Sequence, residues 1–280
     1  MSDLLPGLSG YIPIKNNFEL DYCAQLGVRS LLPVCDEVIV VDAGSTDKTL
    51  AFFEEWAQWE PKLRIVHYDL PRLPTPDEVE RDDLTRPPGN PVMLIPWLNA
   101  GRAACRFNTQ ITLDADETLA PIGAEVIKQA IADRAPRWFR RINLWPSWVD
   151  DSIMEAPHGT VCGERVVRMG PTAYPMHSDE PCPEGEPEIR RLAVNDDGDR
   201  LKIYHLGFLR DKQAFLRKSR IVQGMIHNTF DPRLRESERT GREWYKLSPF
   251  PENRPLLGVA YDWPDYVNEW IKERGWKARP

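Results

Sequence analysis

The chain has 280 residues, of which 41% are hydrophobic and ten are tryptophan, and this is enough apolar material for one large domain. Its net charge of −7 and isoelectric point near 5.4 exclude a strong overall attraction to nucleic acid or anionic lipid, although a local basic patch could still bind either. The five cysteines are scattered and form no CxxC pair, which argues against a disulfide framework and a cysteine-rich zinc site.

No segment of the sequence predicts insertion into a membrane. The N-terminal segment lacks the basic and apolar regions of a signal peptide. No apolar run approaches the ~20 residues needed to span a bilayer. We therefore expect a cytoplasmic protein with no membrane span.

The first half of the chain alternates predicted strands and helices. Ser45 and Thr46 are expected to cap the helix that follows the second strand. This alternation predicts right-handed βαβ units, and therefore an α/β fold with a mostly parallel central sheet and flanking helices. The expected strands are Tyr11–Ile14, Glu37–Asp42, Leu63–His67 and Gln110–Asp114, and a further helix is expected at Pro96–Phe107.

The rest of the chain is less regular. Asp69–Pro91 is rich in proline and charge, and we interpret it as a long surface loop that either orders over a bound ligand or is disordered. Short strands are predicted at Trp138–Leu144, Arg165–Met169, Ile189–Ala193 and Leu201–His205, and helices at Ile122–Ile131, Asp211–Ile226 and Asp265–Arg274.

Two acids, Asp114 and Asp116, follow the last strand of the first half. Open α/β sheets place their ligands at the carboxyl edge of the strands. Carboxylates one residue apart offer oxygen ligands to a hard divalent cation such as Mg²⁺ or Mn²⁺, which would screen a diphosphate leaving group. Taken alone, a solvated turn or a helix cap explains the same pair.

A second polar stretch, from Asp42 to Thr49, also follows an apolar strand. Gly44 permits a tight turn and a close approach of the backbone to a ligand. Asp42 can accept hydrogen bonds from a nucleobase or a ribose. A βα turn capped by Ser45 and Asp47 explains the stretch equally well.

A third stretch, Tyr204 to Phe208, ends a predicted strand in the second half. His205 could serve there as a further metal ligand, although a lone histidine is more often structural. The basic residues that follow could face phosphate oxygens or form a solvated helix face; they are Arg210, Lys212, Arg217 and Lys218.

Over residues 9–120 the chain resembles glycosyltransferase family 2, whose members have a GT-A fold. Gly10–Ile14 is similar to the strand that opens the nucleotide site of that family. The D-x-G-S-x-D-x-T motif is matched by Asp42, Gly44, Ser45, Asp47 and Thr49, an R-N-x-G-like element is resembled by Leu98-Asn99-Ala100-Gly101-Arg102, and the D-x-D motif is matched by Asp114 and Asp116.

The resemblance implies a metal-dependent transferase that moves a sugar from a nucleoside diphosphate sugar, with UDP favoured, to a hydroxyl acceptor with inversion. No Q-x-x-R-W motif occurs, which disfavours a processive polysaccharide synthase. The resemblance places Gly10, Ile12, Asp42, Gly44, Asn99, Arg102 and Asp114 at the donor, and Asp114, Asp116 and His205 at the Mn²⁺ or Mg²⁺ ion.

The acceptor side is expected in the second half. Inverting members of the family use an acid well after the D-x-D motif as general base; Asp179 and Glu180 are the first candidates and Glu164 is the reserve. The acceptor could be a saccharide, a lipid-linked sugar, a protein or a modified nucleobase, and the acidic isoelectric point disfavours DNA. We expect a nucleotide-sugar-binding half at 1–135, an acceptor-side half of the same domain at 136–230 and a C-terminal extension at 231–280.

Two other functions fit part of the sequence. Asp114 to Thr118 also matches the D-x-D-x-T nucleophile motif of haloacid-dehalogenase-like phosphatases, although that fold normally begins with the nucleophile strand. A non-catalytic nucleotide-sugar-binding module would keep Asp42 and Asp116 without turning over a substrate.

Overall fold

The structure is a computed structural model that describes residues 4–69, 94–146, 153–155, 165–174, 200–210, 214, 218 and 263–276. Within these ranges lie nine strands and five helices. The strands are β1 (Leu5–Ile14), β2 (Glu37–Asp42), β3 (Leu63–His67), β4 (Phe107–Thr112), β5 (Glu117–Leu119), β6 (Arg137–Pro146), β7 (Ile153–Glu155), β8 (Arg165–Pro171) and β9 (Lys202–His205). The helices are α1 (Ala24–Leu31), α2 (Thr49–Ala57), α3 (Leu94–Ala104), α4 (Ala124–Asp133) and α5 (Asp265–Glu273).

All nine strands belong to one sheet, in the order β3-β2-β1-β4-β8-β6-β9-β5, with β7 paired to β6. The first four strands are mutually parallel. β8 runs antiparallel to β4 and β6, whereas β9 is parallel to β6 and antiparallel to β5. Four of the seven successive pairings among the described strands are parallel, so the predicted α/β class with a mostly parallel sheet is confirmed.

The direction of strand addition reverses at β1. β2 and β3 extend the sheet on one side of β1, and β4 extends it on the other. Such a switch point leaves a crevice beyond the carboxyl ends of the diverging strands, where open α/β sheets bind ligands. Asp42 ends β2 opposite Ile14 of β1, and Asp114 follows the end of β4. The topology therefore brings the two predicted acidic stretches to one edge.

Both faces of the parallel strands are covered. Val38 and Val40 of β2 pack into the core beneath α1, and Ile39 and Val41 face α3 on the other side. Trp97 of α3 donates its indole N–H to the Val41 carbonyl at 3.0 Å. Burial on both faces explains why β2 reads as a continuous apolar run.

The predicted bounds of Glu37–Asp42 and Leu63–His67 are confirmed by β2 and β3. The first strand begins at Leu5 rather than Tyr11, and the strand predicted at Gln110–Asp114 runs from Phe107 to Thr112. β4 begins early because α3 ends at Ala104, before the predicted helix end, which lets Phe107 pair with Leu5.

The predicted capping of the second helix by Ser45 and Thr46 is wrong. α2 begins at Thr49, and its N-terminus has no side-chain cap at Lys48. The Ser45 hydroxyl instead accepts the Asn16 N–H at 2.9 Å, and the Thr46 N–H donates to the Asn16 side-chain oxygen at 2.8 Å. Both residues are used to hold the loop after β1.

Several predictions concern residues that the structure does not describe. These are the strand Ile189–Ala193, nearly all of the loop Asp69–Pro91, most of the helix Asp211–Ile226, and the base candidates Glu164, Asp179 and Glu180. Ala214 and Lys218 of the predicted helix are described, in helical conformation. No helix within the described ranges is long and apolar enough to cross a bilayer.

A buried acid, Glu37, joins three strands at the opposite end of the sheet from Asp42, where β2 begins. Its carboxylate accepts hydrogen bonds from the Ser9 hydroxyl at 2.8 Å and the Arg106 backbone N–H at 2.7 Å. It also pairs with Arg64 at 2.6 Å and with the Arg106 guanidinium at 2.8 Å. Burial raises the pKa of Glu37, but the hydrogen bonds from Arg106, Ser9 and Arg64 outweigh burial and leave this pKa below its ordinary value.

We expect Glu37→Gln to lower the free energy of unfolding by about 1–3 kcal/mol, measured by urea denaturation. The loss stays below that of a fully buried pair because the Arg64 and Arg106 side chains are 35% and 54% exposed. A lowered folded-state pKa stabilises the protein above the ordinary glutamate pKa, and this contribution disappears as the pH falls through the lowered value. The matched control is Glu125→Gln, an exposed acid on α4 paired with Lys128. An equal loss of unfolding free energy in both variants would contradict the stabilising role of the buried Glu37 carboxylate.

Candidate active site

Asp116 lies between β4 and β5 and is only 4% exposed. Its Oδ2 accepts hydrogen bonds from Arg210 Nη2 at 2.5 Å and Lys218 Nζ at 2.6 Å. Burial raises the pKa of Asp116, but the nearby positive charges of Lys218 and Arg210 outweigh burial and hold this pKa well below its usual range. Asp116 is therefore a buried, ionised carboxylate at the carboxyl edge of the sheet.

Besides Asp116, Arg210 contacts two backbone carbonyls and an aromatic ring. Its Nε donates to the Gly207 carbonyl at 2.6 Å and its Nη1 donates to the Leu20 carbonyl at 2.6 Å. The guanidinium also lies over the Tyr22 ring, 4.1 Å from the centroid. These contacts fix the cation beside Asp116, so the alternative of a solvated helix face is wrong for Arg210.

His205 ends β9 and is paired in register with Glu117 of β5. Its Nδ1 lies 3.0 Å from the Asn143 side-chain oxygen, and its Nε2 lies 3.5 Å from Asp116 Oδ1. The Asn143 oxygen can accept a proton from Nδ1, and the neutral tautomer that donates it leaves the lone pair on Nε2. Burial, with the charge of Arg141, lowers the pKa of His205 and favours this neutral form.

Asp116 and His205 fit a divalent cation. In the tautomer protonated on Nδ1, two electron-pair donors, Oδ1 and Nε2, face one another across 3.5 Å, and two ligands of one ion with bonds near 2.1 Å lie roughly 3–3.5 Å apart. A ligating histidine usually donates its other ring N–H to an oxygen acceptor such as a carboxylate or a backbone carbonyl, and the Asn143 side-chain oxygen lies in that position here. No three Asp, Glu, His or Cys side chains converge within the described ranges, so substrate oxygens would supply further ligands, as they do for Mg²⁺.

Gly207 provides the room that this pair needs. A Cβ at this position would lie 2.5 Å from His205 Nε2 and 2.6 Å from Asp116 Oδ2. Any larger residue would therefore collide with both groups.

Asp114 faces a different set of cations. Its Oδ2 lies 2.7 Å from Arg168 and 3.5 Å from Arg141, and its side chain is partly exposed. Both arginines also pair with the buried carboxylate of Glu117, at 3.2 and 2.9 Å. Glu117 in turn accepts the Asp114 backbone N–H at 2.9 Å. The structure thus divides the two acids of the D-x-D motif between two groups of cations.

Asp42 presents a buried acceptor at the end of β2. Its Oδ2 accepts the N–H groups of Gly44 at 3.1 Å and Ser45 at 3.0 Å, which holds a tight turn with Gly44 at φ 70°. Its Oδ1 is buried and accepts no hydrogen bond within the described ranges. Lys15 crosses the turn and donates to the carbonyls of Ala43 at 2.6 Å and Gly44 at 2.8 Å. An unsatisfied buried acceptor of this kind suits a ligand N–H or O–H.

The other donor-site candidates are spread over two elements. Gly10 and Ile12 lie inside β1 with Ile12 in the core, and a Cβ on Gly10 would approach Cys35 Sγ to 3.0 Å. Asn99 and Arg102 lie one turn apart on α3, where the guanidinium donates to the amide oxygen. The roles predicted for these residues, as for Asp42, Asp114, Asp116 and His205, stay predictions.

Four polar residues of this edge were not predicted as site residues. All four lie within strands. A charged residue inside a buried strand indicates a buried ion pair, and this signal could have identified the arginines. The four are Glu117, Arg141, Asn143 and Arg168.

The strand order, the switch point at β1, and the D-x-G-S-x-D-x-T and D-x-D motifs at one edge define a GT-A-type α/β fold. No protein-family model matches the sequence, and no curated protein matches it significantly.

S. aureus TarS, residues 1–349, is 12% identical and has a TM-score of 0.38, with 88% of this chain and 76% of that chain covered. The mannosyltransferase PcManGT from Pyrobaculum calidifontis, in complex with GDP-Man and Mn²⁺, is 19% identical and has a TM-score of 0.32. The match covers 50% of this chain and 36% of that chain. Glucosyl-3-phosphoglycerate synthase from Mycobacterium tuberculosis, in complex with Mn²⁺ and UDP, is 19% identical and has a TM-score of 0.27. The match covers 51% of this chain and 45% of that chain. Each TM-score is below 0.5, so these similarities carry no conclusion about function.

We predict that metal-free His205 is protonated on Nδ1 at neutral pH, because the Asn143 oxygen accepts that proton. Nitrogen-15 NMR of the five histidines distinguishes the two neutral tautomers, and His205→Gln assigns the signal. Asn143→Leu removes the acceptor and should abolish the preference for Nδ1. If wild-type His205 is instead protonated on Nε2 and donates to Asp116, the lone pairs of Nε2 and Asp116 Oδ1 do not face each other, and the prediction is contradicted.

Proposed function

We propose that the protein is a metal-dependent glycosyltransferase. It transfers a sugar from a nucleoside diphosphate sugar, with UDP favoured, to a hydroxyl acceptor with inversion at the sugar carbon. The observation that carries this proposal is the buried pair of Asp116 and His205, whose Oδ1 and Nε2 face each other 3.5 Å apart beside the switch point of the sheet. A hard divalent cation is the partner that such a pair suits.

The charge of the edge supports a diphosphate ligand. Among the described residues, four cations surround the three carboxylates of Asp114, Asp116 and Glu117, so positive charge is in excess while His205 is neutral. A bound divalent ion would increase that excess. Buried guanidinium groups and a metal ion together favour an anion with several oxygens, such as a diphosphate.

Mn²⁺ or Mg²⁺ would be held by Asp116 and His205, and when bound it would stabilise the negative charge of the departing diphosphate. The chain's own residues prepare this site. Arg210 holds the Asp116 carboxylate in place, and Asn143 contacts the imidazole at Nδ1 and leaves Nε2 on the side of that carboxylate. Preorganised groups of this kind need no rearrangement during the reaction.

Asp42 supports the nucleotide part of the proposal. Its buried Oδ1 requires a donor, and a nucleobase N–H or a ribose hydroxyl supplies one. Because adjacent parallel strands lie about 4.8 Å apart, Asp42 on β2 and the acids after β4 are separated by roughly 10 Å. A nucleotide can lie across β1 between them.

The general base belongs to the acceptor side. We propose Asp179 or Glu180, with Glu164 as the reserve, to remove the proton of the acceptor hydroxyl from the side opposite the diphosphate. The acceptor classes are a saccharide, a lipid-linked sugar, a protein or a modified nucleobase. Loss of the base would lower kcat by about 10²–10⁴-fold and leave UDP affinity unchanged, which kinetics of Asp179→Asn and Glu180→Gln test.

We expect UDP to bind with Mn²⁺ present, and Asp42→Asn to weaken that binding about tenfold or more in calorimetry. The amide of the variant keeps its oxygen toward the Gly44 and Ser45 N–H groups, so its NH₂ donor replaces the acceptor that the ligand requires. Asp265→Asn, at an exposed position of α5, is the control and should bind as the wild type does.

Equal UDP affinity in all three proteins would remove Asp42 from the donor site. Binding without turnover of any sugar donor would favour the non-catalytic module. Hydrolysis of a simple aryl phosphate that depends on Asp114 would favour the phosphatase.

A further inference from the structure

One oxygen of Asp116 receives two cations. Arg210 Nη2 lies 2.5 Å from Oδ2 and Lys218 Nζ lies 2.6 Å from the same atom. A single cation is sufficient to neutralise a single carboxylate, and Arg210 already supplies one. Lys218 therefore adds a positive charge that the Asp116 carboxylate does not itself require.

The two cations differ in how firmly they are held. The Arg210 side chain is 1% exposed and is fixed by the carbonyls of Leu20 and Gly207. The Lys218 side chain is 21% exposed, and its one hydrogen bond within the described ranges is to Asp116. Its ammonium also lies 5.1 Å from the centroid of the Tyr22 ring. Lys218 is thus the cation that can leave the carboxylate and find water.

We propose that Lys218 is an internal counter-ion that occupies Asp116 in the absence of a divalent cation and is displaced when the cation binds. This inference rests on the metal site of the proposed function. Lys218 bonds to Oδ2 of the carboxylate whose Oδ1 faces His205, so a divalent ion there stands within a few ångströms of the ammonium. Like charges at such a distance in a buried site repel strongly. Arg210 cannot move without losing its carbonyl partners, so Lys218 is the group that moves.

Displacement gives Lys218 a second use. The ammonium leaves Asp116 when the metal arrives, and a flexible lysine then carries one free charge at the same edge of the sheet. A donor diphosphate bound to the metal offers that charge an anionic partner. Lys218 therefore opposes the binding of metal alone and favours the binding of metal and diphosphate together.

The test compares Mn²⁺ affinity in wild type, Lys218→Met and Lys218→Arg, with calorimetry and with thermal unfolding as a check of folding. Lys218→Met should bind Mn²⁺ alone roughly tenfold more tightly, because no ammonium must be displaced. At saturating Mn²⁺ the same variant should bind UDP several-fold more weakly. Lys218→Arg, which keeps the charge, should not gain Mn²⁺ affinity. Lys128→Met, an exposed lysine of α4, is the matched control and should change neither affinity.

A second measurement uses the wild-type protein alone. Reductive methylation followed by mass spectrometry should modify Lys218 several-fold faster with Mn²⁺ than without it, and Lys128 at the same rate in both. This readout stands even if a Lys218 variant fails to fold.

The outcomes separate this inference from the proposed function. The counter-ion proposal is overturned if Lys218→Met binds Mn²⁺ no more tightly than the wild type does and the methylation rate of Lys218 is unchanged by Mn²⁺. The proposed metal site is unaffected by that result. A wild-type protein that binds no Mn²⁺, with or without UDP, overturns both. Opposite changes in metal affinity and UDP affinity support the inference, because a purely structural ion pair would weaken both.

Discussion

The organisation of the site depends on the burial of one ionised carboxylate, that of Asp116. Removing such a charge from water costs several kcal/mol, and only positive charge within hydrogen-bond distance offsets that cost. Arg210 supplies it and also donates to Leu20 and Gly207. Neutralising one acid therefore joins the segment that follows β1 to the segment that follows β9, two parts of the chain that are distant in sequence.

A second group of charges continues the same principle across the sheet. Arg168 of β8 and Arg141 of β6 pair with both Asp114 and Glu117, so strands of the second half are joined to the turn between β4 and β5. The edge that follows the switch point is built from ion pairs rather than apolar contacts. Such an edge keeps carboxylates charged and oriented where a cation and an anionic ligand can meet.

The bounds of two strands were predicted correctly from local sequence alone. β2 was predicted with its observed bounds because a short β-branched apolar run is typical of a strand that is buried on both faces. β3 also has its predicted bounds, although only Leu63 within it is buried. The edge position of Asp42 and Asp116 was also predictable, since the carboxyl ends of parallel strands meet at one edge. Ser45 was misassigned because the loop after β1 competes for its hydroxyl, and that contact is not local.

The partners of the arginines could not be predicted from local pattern. A period of two indicates which face of a strand a residue occupies but not which strand lies beside it. Arg168 reaches Asp114 because β8 pairs with β4 although many residues separate them in sequence. His205 likewise reaches Asn143 because β9 lies beside β6. These contacts follow from strand order, which depends on the whole chain.

The proposed glycosyltransferase activity depends on Asp116 and His205 together holding a divalent cation beside the bound donor. Anomalous diffraction from crystals grown with Mn²⁺ and UDP would locate that cation. We expect a single strong manganese peak about 2–2.5 Å from an Asp116 carboxylate oxygen and from His205 Nε2, in contact with the diphosphate. Clear UDP density at the edge of the sheet with no manganese peak between these two residues would contradict it.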